Sequence, residues 1–101
     1  MNTLVCRTFV FKALIFCVMQ PSKLDQILGR EIQRRRIEKN LSQEYLAELT
    51  GLHRTYISQL ERGLKSPSIR VLSHITRALN VKMSEFFQGV EESLSVDRPG
   101  D

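Results

Sequence analysis

The chain has 101 residues and a mass of 11.7 kDa, which is space for a single domain. Apolar residues make up 42% and charged residues 26%, with five Phe, two Tyr, no Trp and eight Gly plus Pro, a make-up that favours short helices over a many-turned sheet. A multidomain enzyme, a repeat array, a disulfide scaffold and a multi-span membrane protein are excluded, and the net charge of +4 allows a polyanionic partner.

That net charge hides a division. Residues 1–18 carry Arg7 and Lys12 and no acid, residues 19–82 carry twelve bases and six acids, and residues 83–101 carry Arg98 and five acids. A phosphate-bearing partner therefore belongs on the middle of the chain, not on its end.

The first block holds an apolar run of eleven residues, Phe9 to Met19, interrupted by Lys12. A membrane span needs about 20 apolar residues, so no stable membrane insertion is expected. A secretory signal would need a small-residue cleavage site, and none follows. Two readings stay open for residues 1–18. They form an apolar extension that packs on the domain or a partner, or the native start is Met19, leaving a complete domain of 83 residues. Cys6 and Cys17 both fall in this block and read as reduced cytosolic thiols. No metal site is expected, because His53 and His74 stand alone and zinc asks for four suitably spaced ligands.

Helical periodicity begins after Pro21-Ser22. Leu24, Ile27, Leu28, Ile32 and Ile37 mark the inner face of a first helix. Arg34, Arg35, Arg36 and Lys39 gather at its end, where they complement the dipole, and Asn40 stops it. Ser42 is placed to cap a second helix, Gln43 to Thr50, that Gly51 breaks. A third helix spans about His53 to Arg62, turns Ile57 and Leu60 inward and ends at Gly63 in the left-handed region. Ser66-Pro67-Ser68 opens a fourth helix with the stripe Ile69, Leu72, Ile75 and Leu79, flanked by Val71 and Ala78 and closed by Asn80. Ser84 then caps a last short turn, Glu85 to Gln88, presenting Phe86 and Phe87. Residues 89–101 are read as an acidic flexible tail. The expectation is an all-α fold of five short helices over residues 19–88.

The stretch Gln43 to Arg62 carries a joint pattern. Two helices meeting at a sharp angle need a small residue at the crossing (Ala47), a turn residue tolerant of positive φ (Gly51) and aliphatics at the joint (Leu46, Leu52, Ile57, Leu60). This is the helix-turn-helix pattern. The run Leu41-Ser42-Gln43-Glu44-x-Leu46-Ala47, then Gly51, Ile57-Ser58-x-Leu60-Glu61-Arg62-Gly63 and Pro67-Ser68, resembles the λ-repressor-like, Xre-type DNA-binding domains of bacteria and phages. The closing Arg77-Ala78-Leu79-Asn80-Val81 and Ser84-Glu85-Phe86-Phe87 resemble that family's ending. Within it, His53 to Ser58 followed by Glu61-Arg62 is most similar to controller proteins of restriction–modification systems.

By position, Arg54, Thr55, Ser58 and Gln59 project from the face opposite Ile57 and Leu60, toward the bases of a major groove. Arg54 suits a guanine edge, Thr55 a thymine methyl or either edge, Gln59 an adenine, and Tyr56 a phosphate or base methyl. The resemblance implies a phosphate anchor at Gln43. Arg62, Lys65 and Ser66 would lie beside the backbone, with His53 as a further phosphate contact. Arg35, Arg36 and Lys39 read as general attractors. Glu61 has the wrong sign for phosphate and is expected to tie back to Arg62 or to a base of the first helix. Leu72, Ile75, Leu79, Met83, Phe86 and Phe87 exceed what so small a core can hide and are read as a homodimer seam.

The partner expected is therefore double-stranded DNA, bound in the cytoplasm by a homodimer on a pseudo-palindromic operator. No catalytic residue, cofactor or small-molecule ligand is expected: nucleophile–base pairs and glycine-rich phosphate loops are lacking, and 101 residues leave no room for a sensor domain. An antitoxin that binds a toxin and represses its own operon is the alternative, with residues 1–18 or 89–101 as its toxin-binding segment.

Overall fold

A computed structural model describes residues 22–97. The N-terminal extension, the alternative start at Met19, both cysteines and the last four residues lie outside the described residues. Five helices follow in order: α1 (Lys23–Glu38), α2 (Gln43–Thr50), α3 (Arg54–Glu61), α4 (Ile69–Ala78) and α5 (Met83–Asp97). No strand occurs among the described residues, and the all-α, five-helix expectation holds.

Local chemistry sets most of the boundaries. Ser22, Ser42 and Ser68 each accept a hydrogen bond from the backbone N–H three residues on, those of Asp25 (3.0 Å), Tyr45 (3.0 Å) and Val71 (3.1 Å). Each satisfies one of the N–H groups that a helix start leaves without a partner. At the other ends, Asn40, Gly51, Gly63 and Asn80 sit at φ +58°, +73°, +76° and +56°, where glycine and asparagine are the residues best tolerated. Gly63 is required twice over, since a Cβ there would also lie 2.9 Å from the Cα of Gln26.

The core joins all five helices. Ile27, Leu28 and Ile32 of α1 meet Leu46 and Ala47 of α2, Ile57 and Leu60 of α3, Leu72 and Ile75 of α4 with Leu79 after it, and Phe86 and Val90 of α5. α3 packs on α1 and α2, α5 on α1 and α4, and α2 also meets α4. Leu52 fills the angle between α2 and α3 as a partly buried residue, and its N–H returns to the Ala47 carbonyl at 3.1 Å. Leu24, Ile37 and Ile69, expected inside, are exposed, Ile69 by 65%. All three stand in the first or last turn of a helix, where the stripe overhangs the core.

Two expectations need correction. The chain does not fray at Gly89: α5 starts at Met83, so Ser84 lies within its first turn and is not its cap, and the helix runs on to Asp97. Val90 is buried and Leu94 packs on the core, which commits much of the supposed acidic tail to the fold. Gly89 is inside the helix because a Cβ there would stand 2.8 Å from the Glu31 carboxyl carbon. Second, Leu72, Ile75, Leu79 and Phe86 are buried within the single chain. They are the protomer's own core and cannot form a seam. Of the six residues expected there, Met83 and Phe87 are only partly buried, Phe87 lying edge-on to Phe86 with ring centroids 5.6 Å apart.

Candidate nucleic-acid interface

α3 is one residue longer than two turns, and its two faces differ sharply. Ile57 and Leu60 are buried, whereas His53, Arg54 and Thr55 at its start are exposed. Ser58 and Gln59 are half-buried, and Tyr56 leans on the core. Arg62, Lys65 and Ser66 follow α3 in exposed positions. Among the described residues no acid pairs with Arg54, Arg62 or Lys65, so three cations flank the exposed start and end of α3.

The N-cap of α3 is His53, and unlike the serines at α1, α2 and α4 it makes no side-chain cap bond. The first N–H groups of α3 thus lack a side-chain acceptor at the end where the helix dipole favours an anion.

The far end of α3 is held by a polar network. The Glu61 side chain, 2% exposed, accepts from Arg36 Nε at 2.6 Å and Nη2 at 3.1 Å. Arg36, 11% exposed, also donates from Nη1 to the Leu41 carbonyl at 2.7 Å. Gln43 Nε2 donates to Glu61 Oε1 at 2.9 Å. One base of α1 and one amide of α2 therefore meet at a carboxylate of α3, and the same base is tied to the α1–α2 turn. Of the two partners expected for Glu61, Arg62 or a base of the first helix, it is the second that binds, through Arg36, which is thereby a brace and not a general attractor.

Arg35, expected beside DNA, is drawn elsewhere. Its Nε donates to Glu31 at 2.7 Å and its Nη2 to the Glu85 carbonyl at 3.2 Å, so it joins α1 to α5. Arg34 grips the same carboxylate at 2.7 Å and reaches Glu38 at 2.7 Å. Burial would raise the pKa of Glu31, but the hydrogen bonds and charges of Arg34 and Arg35 outweigh it and hold the carboxyl below its ordinary value. The same pairing with Glu31 raises Arg34. Every buried side-chain polar atom among the described residues has a partner, as folded interiors require.

One contributor was missed in the sequence. A Cβ on Gly29 would lie 2.7 Å from the Glu61 carbonyl oxygen and closer still to that of Leu60, so the backbone of α1 touches the end of α3 there. A glycine inside a helical pattern is itself a signal of such close approach.

The helix-turn-helix family profile matches residues 32–86, which include the whole Arg36–Gln43–Glu61 network and all of α2 to α4. Control protein C.SmaI of Serratia marcescens is 40% identical over 60 residues, spanning 59% of this chain and 71% of that one. Control protein C.BamHI of Bacillus amyloliquefaciens is 42% identical over 57 residues, 55% of this chain and 70% of that one. Among solved structures, the restriction-modification controller protein C.Esp1396I, a tetramer in complex with its natural 35 base-pair operator, superposes with a TM-score of 0.67 at 35% identity. That match covers 70% of this chain and 93% of the other. The chain belongs to the helix-turn-helix family, in its λ-repressor-like, Xre-type branch.

Proposed function

We propose that this protein is a sequence-specific DNA-binding transcriptional regulator, acting as a homodimer on a pseudo-palindromic operator and controlling restriction–modification genes. The observation that carries the reading is the exposed start of α3, His53-Arg54-Thr55, on a helix whose opposite end is locked to α1 and α2 through Glu61. A rigidly held helix with a polar leading face is what major-groove reading requires. The similarity to control proteins, one of them solved on its operator, supports the same conclusion.

In this reading Arg54 makes paired hydrogen bonds to a guanine, Thr55 contacts a neighbouring base, and Ser58, Gln59 and Tyr56 complete the contact surface. Gln43, His53, Arg62, Lys65 and Ser66 hold the sugar–phosphate backbone. Two copies reach successive major grooves, which sets half-sites about 34 Å apart. The regulator acts in the cytoplasm by occupancy, blocking RNA polymerase or recruiting it from an upstream site, and catalyses no reaction. Selection from random duplex DNA at moderate salt tests this. Enrichment of an inverted repeat with one-turn spacing is the expected result, and a folded protein that enriches no sequence would overturn it.

A further inference from the structure

We infer that Glu61 is a positioning residue for DNA binding: it orients the Gln43 amide so that an N–H, and not the carbonyl oxygen, faces a backbone phosphate. The inference rests on the DNA-binding reading above and adds to it a residue that does not touch DNA.

A glutamine amide has two ends of nearly equal shape and opposite polarity, and rotation about its last torsion exchanges them at little cost. Presented at random, it offers a phosphate its oxygen as readily as its N–H. Here the choice is removed. Glu61 is buried, and both of its carboxylate oxygens accept hydrogen bonds from Arg36, so what it offers Gln43 is an acceptor. Gln43 can meet it only through Nε2, and does so at 2.9 Å. The nitrogen carries two hydrogens, and this bond uses one.

The remaining N–H belongs to the first residue of α2, directly after the Ser42 cap, where the helix dipole and first-turn N–H groups favour an anion. Gln43 is only half-buried, and its second N–H is not used by the bond to Glu61. A carboxylate this close to a phosphate would ordinarily repel it. Arg36 cancels that charge and is itself pinned to the Leu41 carbonyl at 2.7 Å. Three helices thus converge to fix one neutral donor.

The test is a double-mutant cycle on the full chain, using the operator recovered by selection, with Gln43→Ala, Glu61→Gln and the pair. Gln43→Ala is expected to weaken binding about ten-fold, the order of one hydrogen bond to a charged group, equally for every operator sequence. The salt dependence should not change, because a neutral amide displaces no counterion. Glu61→Gln should weaken binding comparably, and the double variant should bind no worse than Gln43→Ala. Losses that multiply in the double variant would overturn the inference, since a merely structural role acts in either background. A second readout needs no variant. In the free wild-type protein one of the two Gln43 side-chain amide protons should be shifted from its random-coil position and exchange more slowly than the other, and two protons at random-coil shifts with equal exchange would contradict the role of Glu61. The two failures are separable: a wild-type chain that selects no duplex removes the DNA reading itself, whereas a binding wild type with multiplying losses removes only the positioning role.

Discussion

Glu31 and Glu61 are both buried carboxylates bound by arginine, yet they do different work. Glu31 is held by Arg34 and Arg35, three and four residues on in its own helix, and Arg34 is 53% exposed. Glu61 is held by Arg36 from 25 residues away, 11% exposed, and by Gln43 from 18 away. Each has a glycine against it: Gly89 faces the Glu31 carboxylate, and Gly29 faces the backbone carbonyl of Glu61. A pair made within one helix forms wherever that helix forms. A pair made across three helices requires their mutual placement, so Glu61 reports on the assembly of the helix-turn-helix and Glu31 on the docking of α5 through Arg35.

The sharpest break in this contrast is Glu61→Ala. Leaving Arg36 buried without its partner should destabilise the fold by about 3–5 kcal/mol, read from urea unfolding. A loss no larger than that of Glu31→Ala would show the two sites to be equivalent. Next come the glycines. Gly29→Ala sets a methyl against backbone that cannot swing aside and should cost about 1–3 kcal/mol, partly offset by alanine's helix propensity. Gly89→Ala meets a side-chain end, the Glu31 carboxylate, that can shift only by straining its bonds to Arg34 and Arg35, and thermal denaturation should show a smaller loss of about 1 kcal/mol.

The pH dependence of Glu31 follows from its lowered pKa. As acid is added, the unfolded chain takes up the proton first, near the ordinary value of 4.5. The stability from this carboxylate is therefore complete above that value and is lost as pH falls through the lower folded-state value. Glu31→Gln should be the less stable protein at neutral pH, and the gap should close in acid. A gap that widens on acidification would reverse the assignment. The smallest effect concerns the uncapped end of α3. His53→Ser should supply the missing acceptor and raise stability by about 0.5–1 kcal/mol; no gain would mean that the α3 start already has its partner.

Most of the α1 to α4 frame was readable because its signals are local: the capping serines, the left-handed Asn40, Gly51, Gly63 and Asn80, and the Ala47–Gly51 spacing. What failed is non-local. A stripe such as Leu72, Ile75 and Leu79 announces that something covers it without saying whether that is a second copy or α5. Gly89 reads as a stop until Glu31 is seen to occupy the space of its side chain. In the site, the exposure of Arg54 and Thr55 followed from their position opposite Ile57 and Leu60, whereas Ser58 and Gln59, assigned to the same face, are half-buried. Arg35 could not be distinguished from a DNA-facing base, because its charge alone does not reveal the Glu31 carboxylate beneath it. Glu61's tie to α1 was foreseen from its sign, but selecting Arg36 among adjacent arginines needed the helix packing.

The central claim is that the start of α3 reads bases while Glu61 holds its far end. Its most direct measurement is the affinity of Arg54→Ala for the selected operator and for operators changed one base pair at a time. A loss of about 1–3 kcal/mol is expected, with discrimination relaxed at a single base position in each half-site. An equal loss on every sequence, with a shallower salt dependence, would make Arg54 a phosphate contact and contradict that claim.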